Sequence, residues 1–153
     1  MERVVVTGLG VVSCIGNDVP TFWEALLAGR SGIAPIASFD SSAIAVHIAG
    51  EVKGFQFDAR LGKRMARFAQ LAFAAAQQAL RQAGLDPDGS GEARVDPDRA
   101  GVAIGSGIGG EPFLEEQYAK FLEKGAGKFH PLTVPIVIAN MAAANVAIHH
   151  RLS

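Results

Sequence analysis

The sequence predicts an α/β fold, and three observations carry that expectation. The composition is 49% hydrophobic with 18 glycines, which suits buried strands and close backbone packing. Two short apolar runs, residues 3–7 and 100–104, each lead into glycines. Between and after them lie segments with apolar residues at helical spacing, several of them closed by glycine.

Taken in order, residues 3–7 read as a buried strand, with Val4, Val5 and Val6 in a row before Gly8 and Gly10. Residues 11–17 are a loop or short extension. Asp18 caps a short helix over 21–28 with Pro20 in its first turn, Trp23, Leu26 and Leu27 on its apolar face, and Gly29 as its stop. Residues 30–42 read as loop and 45–52 as a loosely alternating strand. A long helix spans 60–83, with Leu61, Met65, Phe68, Ala72, Ala75 and Ala79 recurring at helical spacing and Gly84 at its end. Its alanines populate other faces too, which predicts burial on more than one side.

Residues 86–98 form a polar loop, and 100–104 a second buried strand. An amphipathic helix over 111–124 turns Phe113, Leu114, Tyr118, Phe121 and Leu122 inward and ends at Gly125. Thr133 caps a last helix with Pro135 in its first turn, and residues 136–148 are apolar nearly all round.

Composition excludes several function classes. The net charge of -1 gives no global field for nucleic acid or an anionic membrane. Cys14 is the only cysteine, so no intrachain disulfide forms, and a reducing cytoplasm is the default. There is no signal-peptide pattern and no apolar run of the roughly 18 residues that a membrane span needs. The chain stops at Ser153 directly after an apolar segment without a cap signal, the pattern expected of a truncated chain.

The densest signal is Gly101-Val-Ala-Ile-Gly105-Ser-Gly107-Ile108-Gly109-Gly110. So many glycines imply either close backbone approach or positive φ angles. Gly105, Gly107 and Gly110 match the dinucleotide fingerprint, which also needs an acidic residue about 20 positions on, at the end of a strand. Glu123 has that spacing but falls in the 111–124 helix, which weakens a nucleotide-binding domain against a tight strand-to-helix turn. Arg60, Lys63, Arg64 and Arg67 recur at i, i+3, i+4 and i+7 as a basic stripe at a helix start, where the macrodipole opposes them. Such a stripe is either a solvated face paired with carboxylates or a docking patch for an acidic partner.

Cys14 lies among Val11, Val12 and Ile15 and reads as a buried structural residue. His149 and His150 point about 100° apart on a helix and make a poor chelating pair. His47 and His130 are isolated, so no metal, cofactor or catalytic residue is assigned.

Val4-Val5-Val6-Thr7-Gly8-Leu9-Gly10-Val11-Val12-Ser13 resembles the opening of the β-ketoacyl-acyl-carrier-protein synthases. Residues 22–33, Phe39-Asp40, 104–110, Val134-Pro135 and Asn140-Met141 continue the likeness in order and spacing. It is most like the bacterial synthase II type of fatty acid elongation, with polyketide ketosynthases as near relatives. The resemblance implies a thiolase-like layered αβαβα architecture, of which residues 1–153 would be most of the N-terminal half, an incomplete ketoacyl synthase domain. It implies that residues 4–7 and 101–104 share the central sheet. It also implies a cytoplasmic homodimer that works without a cofactor, with acyl- and malonyl-loaded acyl carrier protein as partner and neither nucleic acid nor membrane.

The implied reaction is a decarboxylating Claisen condensation by a nucleophilic cysteine and two histidines. The family's cysteine lies shortly beyond the position of Ser153, and its histidines further on. Cys14 stands where the family often has proline, and His47, His130, His149 and His150 match no catalytic position. The 153 residues are therefore expected to be inactive alone. Ile108, between Gly107 and Gly109, matches the residue that gates the acyl pocket. Thr133 stands where an aromatic residue often reaches the partner subunit's pocket. Arg60, Lys63 and Arg64, with Arg67 in the same stripe, match the carrier-docking region. A non-catalytic partner resembling a chain-length factor, or a polyketide ketosynthase subunit, is the alternative.

Overall fold

Asp18 starts the first helix, α1 (Val19–Leu27), because its side chain accepts a hydrogen bond from the Thr21 amide at 2.8 Å. That bond holds the Asp18 carboxyl below the usual carboxylate range. Pro20 sits in the first turn, and Gly29, at φ 62°, follows the last. The computed structural model that shows this describes residues 3–86, 89–92 and 94–152. The inward apolar face expected of this helix is corrected. Trp23, Leu26 and Leu27 are exposed, and Ala25 is the buried residue. No described element covers that face.

A two-stranded antiparallel pair follows, β1 (Ala34–Pro35) and β2 (Ile48–Ala49), with Ala34 opposite Ala49 and Pro35 opposite Ile48. The expected strand over 45–52 is thus reduced to two residues, and its partner lies in the segment read as loop. The Glu51 carboxylate accepts from the amides of Ala37 and Ser38 at 3.1 and 3.0 Å.

The expected strands at 3–7 and 100–104 enter no ladder among the described residues, nor do they share a sheet. A strand exists through the N–H and C=O groups of its neighbour, and neither segment meets one here. Val4 is 95% exposed instead of buried. The second segment keeps its period of two, with Val102 and Ile104 against the core while Gly101 and Ala103 are exposed.

The expected helix over 60–83 is two helices, α2 (Ala59–Gly62) and α3 (Arg67–Gln82). Asp58 caps α2 by accepting from the Arg60 and Leu61 amides at 2.9 and 2.7 Å. Ala66 breaks the run with ψ 160°. The Gln70 side-chain amide bridges the break, donating to the carbonyls of Met65 at 2.8 Å and Gly62 at 3.3 Å. A continuous helix would hold four cations in its first two turns; the break moves Arg60 to the last turn of α2, where positive charge is favoured.

α3 is buried on two sides, as its alanines require. One side carries Ala69 and Phe73, with Met65 of the preceding break, against Ala142 and Val146 of α6 (Met141–His150), and Val102 and Ile104 pack on the cluster. The other side receives the backbone of residues 8–10. A Cβ on Gly8 or Gly10 would collide with the carbonyls of Ala79 and Ala75. Gln82 and Gln78 accept from the amides of Leu9 and Val11 at 2.5 and 3.2 Å, and Gln78 donates to the Asn17 carbonyl at 2.8 Å.

α4 (Glu111–Lys124) has the expected bounds, with Gly125 at φ 77° behind it. Its inward face is corrected: Gln117 is the buried residue, while Tyr118, Phe121 and Leu122 are exposed. The expected last helix is α5 (Thr133–Val137) and α6, interrupted where Ile138 turns to ψ 140°. Thr133 is the first helical residue and not the cap; its hydroxyl donates to the His130 carbonyl at 2.6 Å. No described helix is long and apolar enough to cross a membrane.

At the end of α6, His150 is 2% exposed, its ring stacked on Phe73 at 6.1 Å. Neither ring nitrogen makes a well-formed hydrogen bond among the described residues, and the Gly91 backbone interacts only weakly with the ring. Burial pushes its imidazole below the ordinary value of 6.5, His149 adds to this, and Asp86 opposes it. The unfolded chain therefore binds the proton more readily than the folded one. The contribution of this histidine to stability is fully present above about pH 6.5 and is lost as pH falls below it. Urea midpoints measured across pH 5–8 should show that decline, and His150→Phe should flatten it. Gly10→Ala should lower stability by about 1–3 kcal/mol in the same titration, because the segment must leave the α3 backbone.

Candidate functional site

The glycine loop before α4 is held at one end and open at the other. Gly109 has φ 94°, and a Cβ there would strike the Val137 carbonyl. Gly110 donates its amide to that carbonyl at 2.8 Å, and its own Cβ would come within 2.8 Å of the Ala66 Cβ. Both reasons for glycine thus apply at Gly109, and close approach alone at Gly110. The bond also ends α5: Val137 gives its carbonyl to Gly110, and Ile138 leaves the helix. Gly105 and Gly107 face open space, and Ile108 is 70% exposed. The loop lies on the C-terminal end of the helix that begins at Thr133. Thr133 itself is 2% exposed with its hydroxyl turned to His130.

The nucleotide reading gains nothing. Glu123 stands inside α4, with no strand before it, and α4 opens on the acidic Glu111. Negative charge there suits the helix dipole and opposes a phosphate.

The α2–α3 break divides the basic stripe. A cleft of about 620 Å³ between the break and the glycine loop is lined by Lys63, Met65, Arg67, Gly110 and Phe113, with Glu116 also at its wall. A second cavity, of about 460 Å³, lies between α2 and α6 and is lined by Arg60, Lys63, Arg64, Asn145, Ile148 and His149. Lys63 borders both. The i, i+7 alignment of Arg67 with Arg60 needs a continuous helix and is lost; the Arg67 guanidinium lies 4.7 Å from the Phe55 ring centre instead. All four cations are exposed. None forms an ion pair with a described residue. Glu116 borders the same cleft as Lys63 and Arg67 without pairing with either.

Cys14 is half-buried and packs against Gly32 and Gly50. His47 meets Ser41 at 3.4 Å, and His130 accepts from the Leu132 amide at 3.2 Å. His149 and His150 sit edge to face, 4.9 Å between centres. Among the described residues no group of three or more His, Cys, Asp or Glu is placed to hold a metal. Sequence reasoning missed that α6 brings Asn145, Ile148 and His149 to the α2 cations. Their separation of over eighty positions leaves no local pattern to detect.

The family described as "Beta-ketoacyl synthase, N-terminal domain" matches over residues 1–153. The 3-oxoacyl-[acyl-carrier-protein] synthase 2 of Coxiella burnetii is 44% identical over 155 residues, covering 99% of this chain and 36% of that protein. The protein of the same name from Vibrio cholerae is 45% identical over 151 residues, covering 96% and 35%. The chain thus spans well under half the length of these relatives. A β-ketoacyl synthase structure from Burkholderia phymatum matches with a TM-score of 0.79 at 26% identity, covering 99% of this chain and 38% of that one. The ishigamide ketosynthase/chain length factor matches with a TM-score of 0.78 at 30% identity, covering 97% and 37%. The described helices and small sheet fit the thiolase-like α/β fold of these ketosynthases. The chain belongs to the beta-ketoacyl synthase family, whose N-terminal domain it matches from end to end.

Proposed function

We propose that this chain is the N-terminal portion of a 3-oxoacyl-acyl-carrier-protein synthase of type II, an acyltransferase of fatty acid elongation. The observation that carries this reading is identity of 44–45% to synthase 2 proteins along nearly the whole chain. In that reaction a cysteine thiolate accepts the acyl group from its carrier thioester. Loss of CO₂ from malonyl-carrier leaves a carbanion that attacks the acyl-cysteine, forming the new C–C bond and releasing the thiolate. The cysteine and the two histidines lie outside residues 1–153.

This part contributes shape and docking. Ile108 gates the acyl pocket, and the glycines give the gate an asymmetric hinge. Gly109 is pinned by Val137, so movement arises on the Gly107 side, where the backbone has open space. Thr133 shapes the pocket through α5, since its buried hydroxyl is already bonded to His130. Arg60, Lys63, Arg64 and Arg67 form the surface for the acidic carrier. The exposed apolar residues, including Val4, Val6, Leu27 and Leu122, are covered by the rest of a cytoplasmic homodimer.

A non-catalytic partner resembling a chain-length factor, or a polyketide ketosynthase subunit, is the second reading, supported by the 30% identity to the ishigamide ketosynthase/chain length factor. The residue at the nucleophile position of the full-length protein separates the two, cysteine for the enzyme and another residue for the partner.

Purified residues 1–153 should show no condensing activity with acyl- and malonyl-carrier, while the full-length protein turns over; turnover by the 153 residues would sink the assignment. In the full-length protein, Ile108→Phe should shorten the acyl chains accepted. A product profile identical to wild type would remove Ile108 as the gate.

A further inference from the structure

Adjacent histidines close α6 and take no part in the function proposed above. His150 is buried with its ring stacked on Phe73. Close enough to act on it is Asp86, a carboxylate with no exposure. Asp86 Oδ1 accepts from the Gly91 amide at 3.4 Å, and Oδ2 has no hydrogen-bond partner among the described residues. A buried ionisable pair so poorly bonded costs stability, so packing alone does not account for it.

The pair lies on a seam between parts of the chain that are far apart in sequence. Asp86 and residues 89–92 form one side, and the last turn of α6 forms the other. Gly91, at φ 83°, comes so close that a Cβ there would strike His149 Nε2. Arg151, in the left-handed conformation behind α6, pairs with Glu92 at 2.6 Å. Both of those side chains are exposed, and such a pair contributes little. The seam is therefore held by its buried part.

A neutral His150 ring is a flat, nearly apolar surface for Phe73. A proton turns it into a cation stripped of its water. Burial opposes that cation most, and His149 beside it on α6 opposes it next. Asp86 favours it, the Gly91 backbone does so weakly, and Arg81 of α3 opposes it. Burial outweighs the one carboxylate, so the charged ring is more stable outside the seam.

We propose that His150 and Asp86 form an acid-sensitive latch: the neutral ring holds the end of α6 against residues 89–92, and the protonated ring leaves Phe73 and opens that seam while Ala69, Ala142 and Val146 stay packed. The latch does not depend on the function proposed above.

The test is amide hydrogen exchange of the full-length protein between pH 5 and 8, corrected for the intrinsic pH dependence of exchange. The opening constant of amides 89–92 and 147–151 should rise as pH falls below about 6.5. One proton is taken up, so the rise is at most about tenfold per pH unit. Amides of α4 should show no such rise. His150→Phe keeps a ring on Phe73 without the proton site, and the rise should vanish. Asp86→Asn keeps an acceptor for Gly91 but removes the charge that favours the imidazolium, so its total rise should exceed that of wild type. His149→Gln removes an opposing charge and should give a smaller rise. A rise shared by α4, a rise that persists in His150→Phe, or equal rises in wild type and Asp86→Asn would each overturn the latch. If His150→Phe does not fold, the opposite changes in the Asp86 and His149 variants decide between latch and none.

Discussion

Close packing on both sides of α3 is the constraint on which the rest of the structure depends. Ala69 and Ala142 have no exposure, and the core holds Phe73 between α3 and α6. On the opposite side the carbonyls of Ala75 and Ala79 leave no room for a Cβ on Gly10 or Gly8. Small residues let backbones approach until the polar groups must be satisfied locally. Gln78 and Gln82 do so for the amides of residues 9 and 11. The N-terminal segment is therefore fixed to a helix and not to a sheet.

The same economy of small residues sets the glycine loop. One hydrogen bond, Gly110 to Val137, ends α5 and seats the loop on that helix. It leaves Ile108 at the boundary between a pinned backbone and a free one. The gate proposed for Ile108 would stand where rigidity and freedom lie within three residues of each other.

Electrostatics act locally in this chain. Arg60, Lys63 and Arg64 are exposed and have no acidic partner among the described residues. Clustered like charges without partners repel one another, so folding stability does not account for them. On the docking reading proposed above, an acidic surface would compensate these charges and be steered to them by long-range attraction. The break before α3 separates Arg67 from the others, so the linear stripe of the sequence becomes a compact cluster of three cations.

Local chemistry was legible from the sequence. Asp18 as a cap, Gly29 and Gly84 as helix stops, and the bounds of α4 all follow from hydrogen bonds and dihedral angles within a few residues. The glycine loop and the basic cluster were likewise visible as candidate sites, and the motif order identified the family. Tertiary structure decided what depends on distant partners. Val4 to Val6 have strand chemistry but no neighbour among the described residues to complete a ladder, and Trp23 and Leu122 have an apolar face but nothing described to cover it. The breaks at Ala66 and Ile138 arise from contacts with Gln70 and Gly110, which periodicity does not encode. The meeting of α2 cations with α6 was invisible for the same reason: a sequence pattern reports the residues that share a helix or a turn, while a cavity is made by residues that share only space.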